Sequence, residues 1–588
     1  MASETYDVVI VGCGTAGLVL AARLSEDASL QVAVIEPGNG HETDPQVLTP
    51  GAWMALTNSP LDWAFKTVPQ KELGNRVLDY PQGRALGGTS TINSFLFAPP
   101  SRTNIDAWAG LGNNGWDFDA YSEALKRAYT FHDASGATAG SGPLQLSVYG
   151  SEPVASWCKA WVDCFANLGF TSSDPFSGEV CGALSNVESI DPGKKQRSSS
   201  ATAYLAPASD RPNLTVLTGS YVSKLLLSKT DLDGVVAEGV QIVTGDGATK
   251  HIKARREVIL AAGALNSPRI LETSGIGDPD LLRKLGIEVM VENPHVGENL
   301  QNHTTTPLIF DVRDDQDTLD AYFRQEPAAV AEAQEAYSKD GGGPLGTSLV
   351  SASAQLPFPG IRTSEGREDL SRLLDGHLDL EADPRWSPRT TPAFAEAHAS
   401  FVQSNLSSPT EASGTYFMAP AGLAQTPGNH ITVVAMVAHP LSRGHAHITS
   451  ASPDNLAGSG GVEIDQATFS HPLDLEVLAR QLRFVEEALT TTEPVASLLK
   501  PREALFGDLE AAREYARAMT TPGHHFTGTC AMMPRDMGGV VDDKLQVYGC
   551  RNLRVCDASV VPIIPRANTQ AVVYGVAEMG AKIFKEAI

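Results

Sequence analysis

The first forty residues pass from an unbroken apolar run through a glycine turn and back to an apolar run. Tyr6 to Ser25 predicts a buried strand, a glycine turn and an amphipathic helix, and Val32 to Ile35 a second buried strand ending in Glu36. Trp53 to Gln82 then mixes polar and aromatic positions without a period. Asp106 to Ala128 reads as one helical stretch with Trp108 and Trp116 in the core, Gly136 to Gly142 as a small-residue linker, and Trp157 to Leu168 as a short amphipathic helix. Strand patterns return at 214–217, 224–227 and 235–243, the last two joined through Asp231 to Gly234 as a hairpin. Glu257 to Gly277 repeats the order strand, glycine turn, helix.

Between 305 and 430 the pattern is least legible. Gly341-Gly-Gly-Pro marks a loop, and the charge-rich stretch from Glu365 to Arg389 predicts a solvated surface insertion. Ile431 to Val437 and His445 to Thr449 read as neighbouring strands, and Pro472 to Thr490 has helical apolar spacing. No internal repeat is visible.

Length and composition narrow the class. A chain of 588 residues exceeds one core and predicts two domains, with 42% hydrophobic and 19% charged residues as in globular proteins. With 44 Lys plus Arg against 69 Asp plus Glu, the formal charge is −25 and no basic run stands out, so nucleic acid and anionic membrane are poor partners. Neither a cleavable leader nor an apolar run of membrane-spanning length appears, which predicts a soluble, cytoplasmic protein. Seven cysteines without a C-x-x-C argue against a disulfide framework and a zinc site. Asn213-Leu-Thr and Asn405-Leu-Ser match glycosylation acceptors by chance, and the terminal Lys-Glu-Ala-Ile is no peroxisomal address.

The opening unit carries the first chemistry. Gly12 permits the turn, Gly14 clears the way for a pyrophosphate to reach the helix N-terminus, and Gly17 lets helix and strand pack closely. Glu36 stands where a carboxylate accepts from a ribose 2′-OH and would repel a 2′-phosphate. Gly83-Arg-Ala-Leu-Gly-Gly-Thr-Ser-Thr-Ile-Asn-Ser-Phe-Leu-Phe97 is a second loop of amides and hydroxyls, suited to a phosphate or a flavin edge, and its apolar end predicts that it is buried. Near the C-terminus, Pro522-Gly-His-His-Phe-Thr-Gly-Thr-Cys-Ala-Met-Met533 sets two histidines beside a Gly-Thr turn. Residues 551 to 581 run from a strand through an Asp turn and past two prolines into a small-residue helix.

With the 83–97 loop, the 263–277 segment and these two C-terminal stretches in order, the chain resembles the glucose-methanol-choline (GMC) family of FAD-dependent alcohol oxidoreductases. The likeness covers most of the chain and is weakest from 305 to 430. It implies a mixed α/β fold: a doubly wound, Rossmann-like FAD domain, discontinuous in sequence (1–150, 195–304 and 535–588), and a substrate domain (151–194 and 305–534) with an antiparallel sheet flanked by helices. It implies FAD at Gly12, Gly14, Thr15, Ala16 and Gly17, Glu36 on the ribose, and Arg84, Gly87, Gly88, Ser90 and Asn93 near the phosphates and flavin. The backbone of Val222 would meet adenine, Asp557 and Ala558 the ribityl chain, and Asn568 and Thr569 the flavin ring at a helix N-terminus. Relatives with covalent flavin carry histidine where this chain has Ile92, so FAD is expected to be non-covalent.

The resemblance also implies the chemistry. The family base matches His525 in His525-Phe-Thr-Gly-Thr529, and the second position falls on Asn568, whose amide orients the substrate oxygen but removes no proton. His524 is read as a structural or pocket-lining residue, with His303 and His439 as structural ones. Arg566 either faces the cavity and holds a carboxylate or, as favoured here, pairs with an acid at a domain seam. The expected reaction takes a small to medium primary alcohol, aromatic ones included, to the aldehyde, with the flavin reoxidised by O2 to give H2O2 or by a quinone-type acceptor. Cyanohydrin cleavage with a non-redox FAD, oxidation of a small acid such as formate, and a non-catalytic FAD-binding role are the alternatives. No metal is expected, and the sequence carries no signal for oligomeric state.

Overall fold

The structure is a computed structural model that describes residues 4–133, 135–148, 152–172, 174–229, 234–378, 389–422 and 426–587. Strand β1 (Glu4–Val11), helix α1 (Thr15–Leu24) and strand β2 (Val32–Ile35) form the predicted opening unit, with Val8 beside Val32 and Ile10 beside Val34 in parallel register. Every β2 residue is buried, as expected for an inner strand covered on both faces. The sheet continues in the order 214–217, β2, β1, 249–260, 235–244, 220–229, and Leu553–Val555 adds in parallel to the strand Thr249–Leu260. Helix Gln570–Ala587 packs on α1, and its Gly575 and Gly580 leave room for the Tyr121 ring and the Cys556 side chain.

The second sheet is antiparallel throughout, in the order 521–522, 304–312, 429–437, 414–419, 352–356, 182–185. Helices Val154–Asn167 and Pro472–Thr491 pack on it. Each sheet has its own hydrophobic cluster. The cluster memberships do not follow the chain in blocks: Phe65, Leu73, Leu78 and Tyr80 join the core of the second sheet, while Val187 joins the first.

Local expectations change in several places. The stretch 106–128 is two helices, Arg102–Gly110 and Phe118–Lys126, because Gly112 (φ 104°) and Gly115 (φ 79°) turn the chain and Asp117 caps a new helix through the Ala120 amide. The linker 136–142 contains a strand, Thr138–Gly140, paired with Tyr129–His132. His445–Ile448 is no neighbour of Asn429–Val437; it pairs with Val462–Asp465, because the Asp474 carboxylate takes the Leu441 and Ser442 amides and leads the chain off the sheet. Within the supposed insertion, Ser364–His377 is a helix that buries Leu370, Leu373 and Leu374, a 3–4 stripe hidden among charges; 379–388 lie outside the described residues. The hairpin from 220–229 to 235–244 forms as expected, though Asp231 to Asp233 also lie outside.

Asn213 is buried with its amide nitrogen donating to three carbonyls, and Asn405 is buried too, so neither acceptor is open to glycosylation in the folded chain. All seven cysteines are free. Among the described residues, no helix is long and apolar enough to cross a membrane.

Candidate active site

A long cavity runs from the first sheet to the second. At one end it is walled by Gly12, Gly14, Thr15, Ala16 and Glu36, along its length by Gly88, Ser90, Asn93, Val222 and Gly263, and at the far end by His524, His525, Asp557, Ala558, Asn568 and Thr569. The glycine turn explains the first wall. Gly12 takes φ 104°, and a side chain there would stand 2.5 Å from the Ala261 carbonyl oxygen. Gly88 passes so close to Gly14 that a Cβ on it would sit 2.6 Å from the Gly14 Cα, whereas a Cβ on Gly14 meets nothing nearer than 3.9 Å and would project into free space. That is the shape a pyrophosphate requires at the α1 N-terminus.

Charge agrees with that fit. The cavity wall carries no Lys or Arg among the described residues, so the phosphates of a dinucleotide would be met by backbone amides and the positive end of α1. Glu36 is buried and accepts from the Cys13 amide at 3.0 Å and the Gly38 amide at 3.0 Å. Burial pushes its carboxyl up to about 7, against the lowering pull of those amides and Arg84. Asp557 accepts from the Ser559 amide, the Gly263 amide and the Ser267 hydroxyl, which ties the C-terminal strand to the second glycine turn. The residues present therefore fit an FAD, with Glu36 at its ribose end and Asn568, Thr569 and Gln570 at the N-terminus of the last helix.

Four expected contacts are corrected. Gly17 does not line the cavity; a Cβ there would stand 1.9 Å from the Gly12 carbonyl oxygen, so its part is the close packing of α1 on the turn. Gly87 faces Thr91 instead, and Arg84 lies over the Trp63 ring at 5.0 Å, shaping the wall from behind. Arg566 is fully buried, is not among the residues walling this cavity, and makes no ion pair among the described residues; its Nη1 donates to the Val180 carbonyl at 3.2 Å, and its Nε and Nη2 have no partner among the described residues. The favoured seam pairing with an acid is replaced by a carbonyl contact, with Glu411 the acid near enough to favour its charge.

The reactive end is built from two segments that pair antiparallel. Gln301 and Thr527 exchange backbone hydrogen bonds, and the Gly523 amide donates to the His303 carbonyl. This register sets Asn302 Oδ1 2.8 Å from the His525 amide and His303 Nδ1 2.8 Å from His525 Nδ1. On the other side, His525 Nε2 is 3.0 Å from Asn568 Nδ2. His303, expected to be structural, is thus in direct contact with His525. The segment Val296-Gly-Glu-Asn-Leu-Gln-Asn-His303 is conspicuous in the sequence, but nothing there indicates that its histidine meets one 222 residues later.

The chain of rings fixes its own tautomers. His303 Nε2 lies 2.9 Å from the Ala438 carbonyl oxygen, which can only accept, so Nε2 carries the proton. Its pKa is pushed down to about 4 by burial, so the ring is neutral and its Nδ1 is a lone pair. His525 must then donate from Nδ1, which leaves the Nε2 lone pair facing Asn568. Burial, followed by the neighbouring His303 and His524, holds His525 well below the usual imidazole range. The result is a neutral imidazole with one basic nitrogen on the cavity wall.

His524 takes φ 61°, lines the same cavity and makes a ring contact with Phe526. His439 is buried and bonded through Nδ1 to the Ile564 carbonyl. Sequence reasoning missed Arg197, a buried guanidinium 3.7 Å over the Phe95 ring that donates to the Ser90 carbonyl and to Asn93 Oδ1 at 2.8 Å. It fixes the Asn93 amide so that its nitrogen meets Gln570 Oε1.

Comparison with known proteins agrees with this geometry. Models of the GMC oxidoreductase family match residues 6–305 and 440–577. Dehydrogenase mpl7 of Monascus purpureus is 35% identical, over 99% of this chain and 96% of its own length. An FAD-dependent oxidoreductase from Chaetomium thermophilum superposes with a TM-score of 0.87 at 27% identity, covering 99% of both chains. A fungal aryl-alcohol oxidase gives 0.84 at 25% identity, covering 100% of each.

Proposed function

The chain belongs to the GMC oxidoreductase family of enzymes that oxidise CH–OH donors, and on that footing we propose that it oxidises a primary alcohol to the aldehyde with His525 as base. FAD, when bound, supplies the hydride acceptor for that chemistry. His525 Nε2 takes the hydroxyl proton while its Nδ1 proton stays hydrogen-bonded to His303 Nδ1, so the ring ends as an imidazolium held through Nδ1. Asn568 Nδ2 donates to the oxygen as negative charge gathers on it. Gly12, Gly14, Thr15, Ala16, Glu36, Gly88, Ser90, Asn93, Val222, Asp557, Ala558 and Thr569 would hold the cofactor. Ile92 stands on the cavity wall where covalent relatives carry histidine, which supports a non-covalent FAD.

The single observation that carries this reading is the Asn568–His525–His303–Ala438 chain, which presents one basic nitrogen to the cavity. The test is an alcohol panel mixed without oxygen, followed by the rate at which flavin colour returns in air. Bleaching by a primary alcohol supports the reading, and fast return in air marks oxygen as the acceptor over a quinone. A product formed with the flavin still oxidised would favour cyanohydrin lyase chemistry. Denaturation with acid should release free FAD.

A further inference from the structure

Five arginines are buried: Arg197, Arg269, Arg443, Arg554 and Arg566. Glu257 makes an ion pair with Arg554, and Glu272, Asp474 and Glu411 stand near enough to favour the charge of Arg269, Arg443 and Arg566 in turn. Arg197 has no such carboxylate among the described residues; the titratable side chain that acts on it is Tyr574. Its guanidinium donates to the Val47 and Ser90 carbonyls and to Asn93 Oδ1, and Nη2 has no partner among the described residues. Burial lowers its pKa to about 9, so it is still a cation at neutral pH. A buried cation is costly unless an opposite charge offsets it.

The place of Arg197 says where that charge comes from. The guanidinium lies 3.7 Å over the Phe95 ring and holds Asn93 Oδ1 at 2.8 Å, and both Phe95 and Asn93 wall the long cavity. Gln570, at the N-terminus of the last helix, donates to the Phe95 carbonyl and accepts from the Asn93 amide. Arg197 therefore stands one side chain behind the wall shared with Gln570, next to Asn568 and Thr569 in the sequence, and adds its charge to the positive end of that helix. Ser90, which it also holds, leads through Ser200 toward the Gly14 carbonyl, so a pyrophosphate is the rival counter-charge. The flavin ring is neutral when oxidised and gains one negative charge with a hydride, whereas the pyrophosphate is anionic in both states.

We propose that Arg197 is the counter-charge of the reduced flavin ring, a positioning residue whose field, acting from behind Asn93 and Phe95, makes bound FAD easier to reduce. This rests on the reading of FAD as the hydride acceptor. Arg197 touches neither substrate nor the reacting atoms; it acts through the low-dielectric wall, where a charge is felt more strongly than in water.

The test is the midpoint potential of bound FAD, measured by equilibration with a reference dye in the absence of any alcohol. Arg197→Met removes the charge and its donors; Arg197→Gln removes the charge and keeps an amide donor for Asn93. In both variants the reduced cofactor should lose at least about tenfold more affinity than the oxidised one, a fall of about 30 mV for a two-electron couple. Equal losses in the two redox states, with the potential unchanged, would assign the charge to the pyrophosphate and overturn the proposal. So would a fall in the Met variant that Gln restores, since hydrogen bonding alone would then explain it. If neither variant retains FAD, Arg197→Lys serves: the burial that brings this arginine to about 9 lowers a lysine further, into the range of about pH 6 to 8 where arginine stays charged. Its potential should fall below that of the unaltered enzyme by pH 8, and equal potentials across the range overturn the proposal. A lowered potential in an enzyme that oxidises no alcohol leaves this role standing and fails the alcohol reading; alcohol oxidation with an unchanged potential does the reverse.

Discussion

His303 Nδ1 lies 2.8 Å from His525 Nδ1, and the proton between them belongs to His525 because the Ala438 carbonyl has already claimed the proton of His303. One backbone oxygen therefore decides which nitrogen of the base is left without a proton. His303 is a positioning residue in this account, touching the base and not the substrate.

Removing it should free the tautomer. In His303→Leu the His525 Nδ1 donor loses its partner, and flavin reduction should slow by about 10- to 100-fold with FAD content unchanged. His303→Gln restores an acceptor for Nδ1 and a donor for Ala438, and should recover most of the rate. Rapid anaerobic reduction of both variants checks this; equal rates in Leu and Gln would make the contact merely structural.

The pH profile carries a second signature. A base works only when neutral, and His525 is held well below 6.5, mainly by burial and then by His303 and His524. A lowered pKa keeps the neutral form dominant to lower pH, so kcat/KM should fall only as pH drops through that lowered value. An imidazole at its ordinary pKa would lose half its activity at about pH 6.5. A profile of the reductive step from about pH 4 to 8 should place the acid limb clearly below that point; a half-loss at 6.5 or above would contradict the burial argument.

Glu36 gives a test at the other end of the cavity. It accepts from the Cys13 and Gly38 amides and borders the nucleotide wall, so Glu36→Ala removes a ribose acceptor and leaves two amides unpaired. FAD affinity of the apoprotein, followed by flavin fluorescence, should weaken by about 10- to 100-fold, and Glu36→Gln by less. Unchanged affinity would place the ribose elsewhere.

Much of the nucleotide wall was legible in the sequence because its parts are local. Gly12, Gly14 and Glu36 lie within 25 residues of one another, in the turn that follows one strand and just past the end of the next, and the strand–turn–helix–strand pattern finds all three. The resemblance supplied His525 and Asn568, which the structure brings within 3.0 Å. What stayed hidden depends on register between distant segments: His303 against His525, Arg197 against Asn93. Arg566 misled for a related reason, since a residue two positions from Asn568 faces away from the cavity when the backbone between them turns through a loop. The helix 364–377 was masked by charge on its exposed face, which a composition reading weighs more than the Leu370–Leu374 stripe.

The most direct measurement of the central claim is anaerobic stopped-flow of the FAD-loaded enzyme and of His525→Ala with a primary alcohol that bleaches the flavin at about 450 nm. The variant should keep its FAD and its substrate binding but bleach about 10²- to 10⁴-fold more slowly. Bleaching at the unaltered rate in His525→Ala would contradict it.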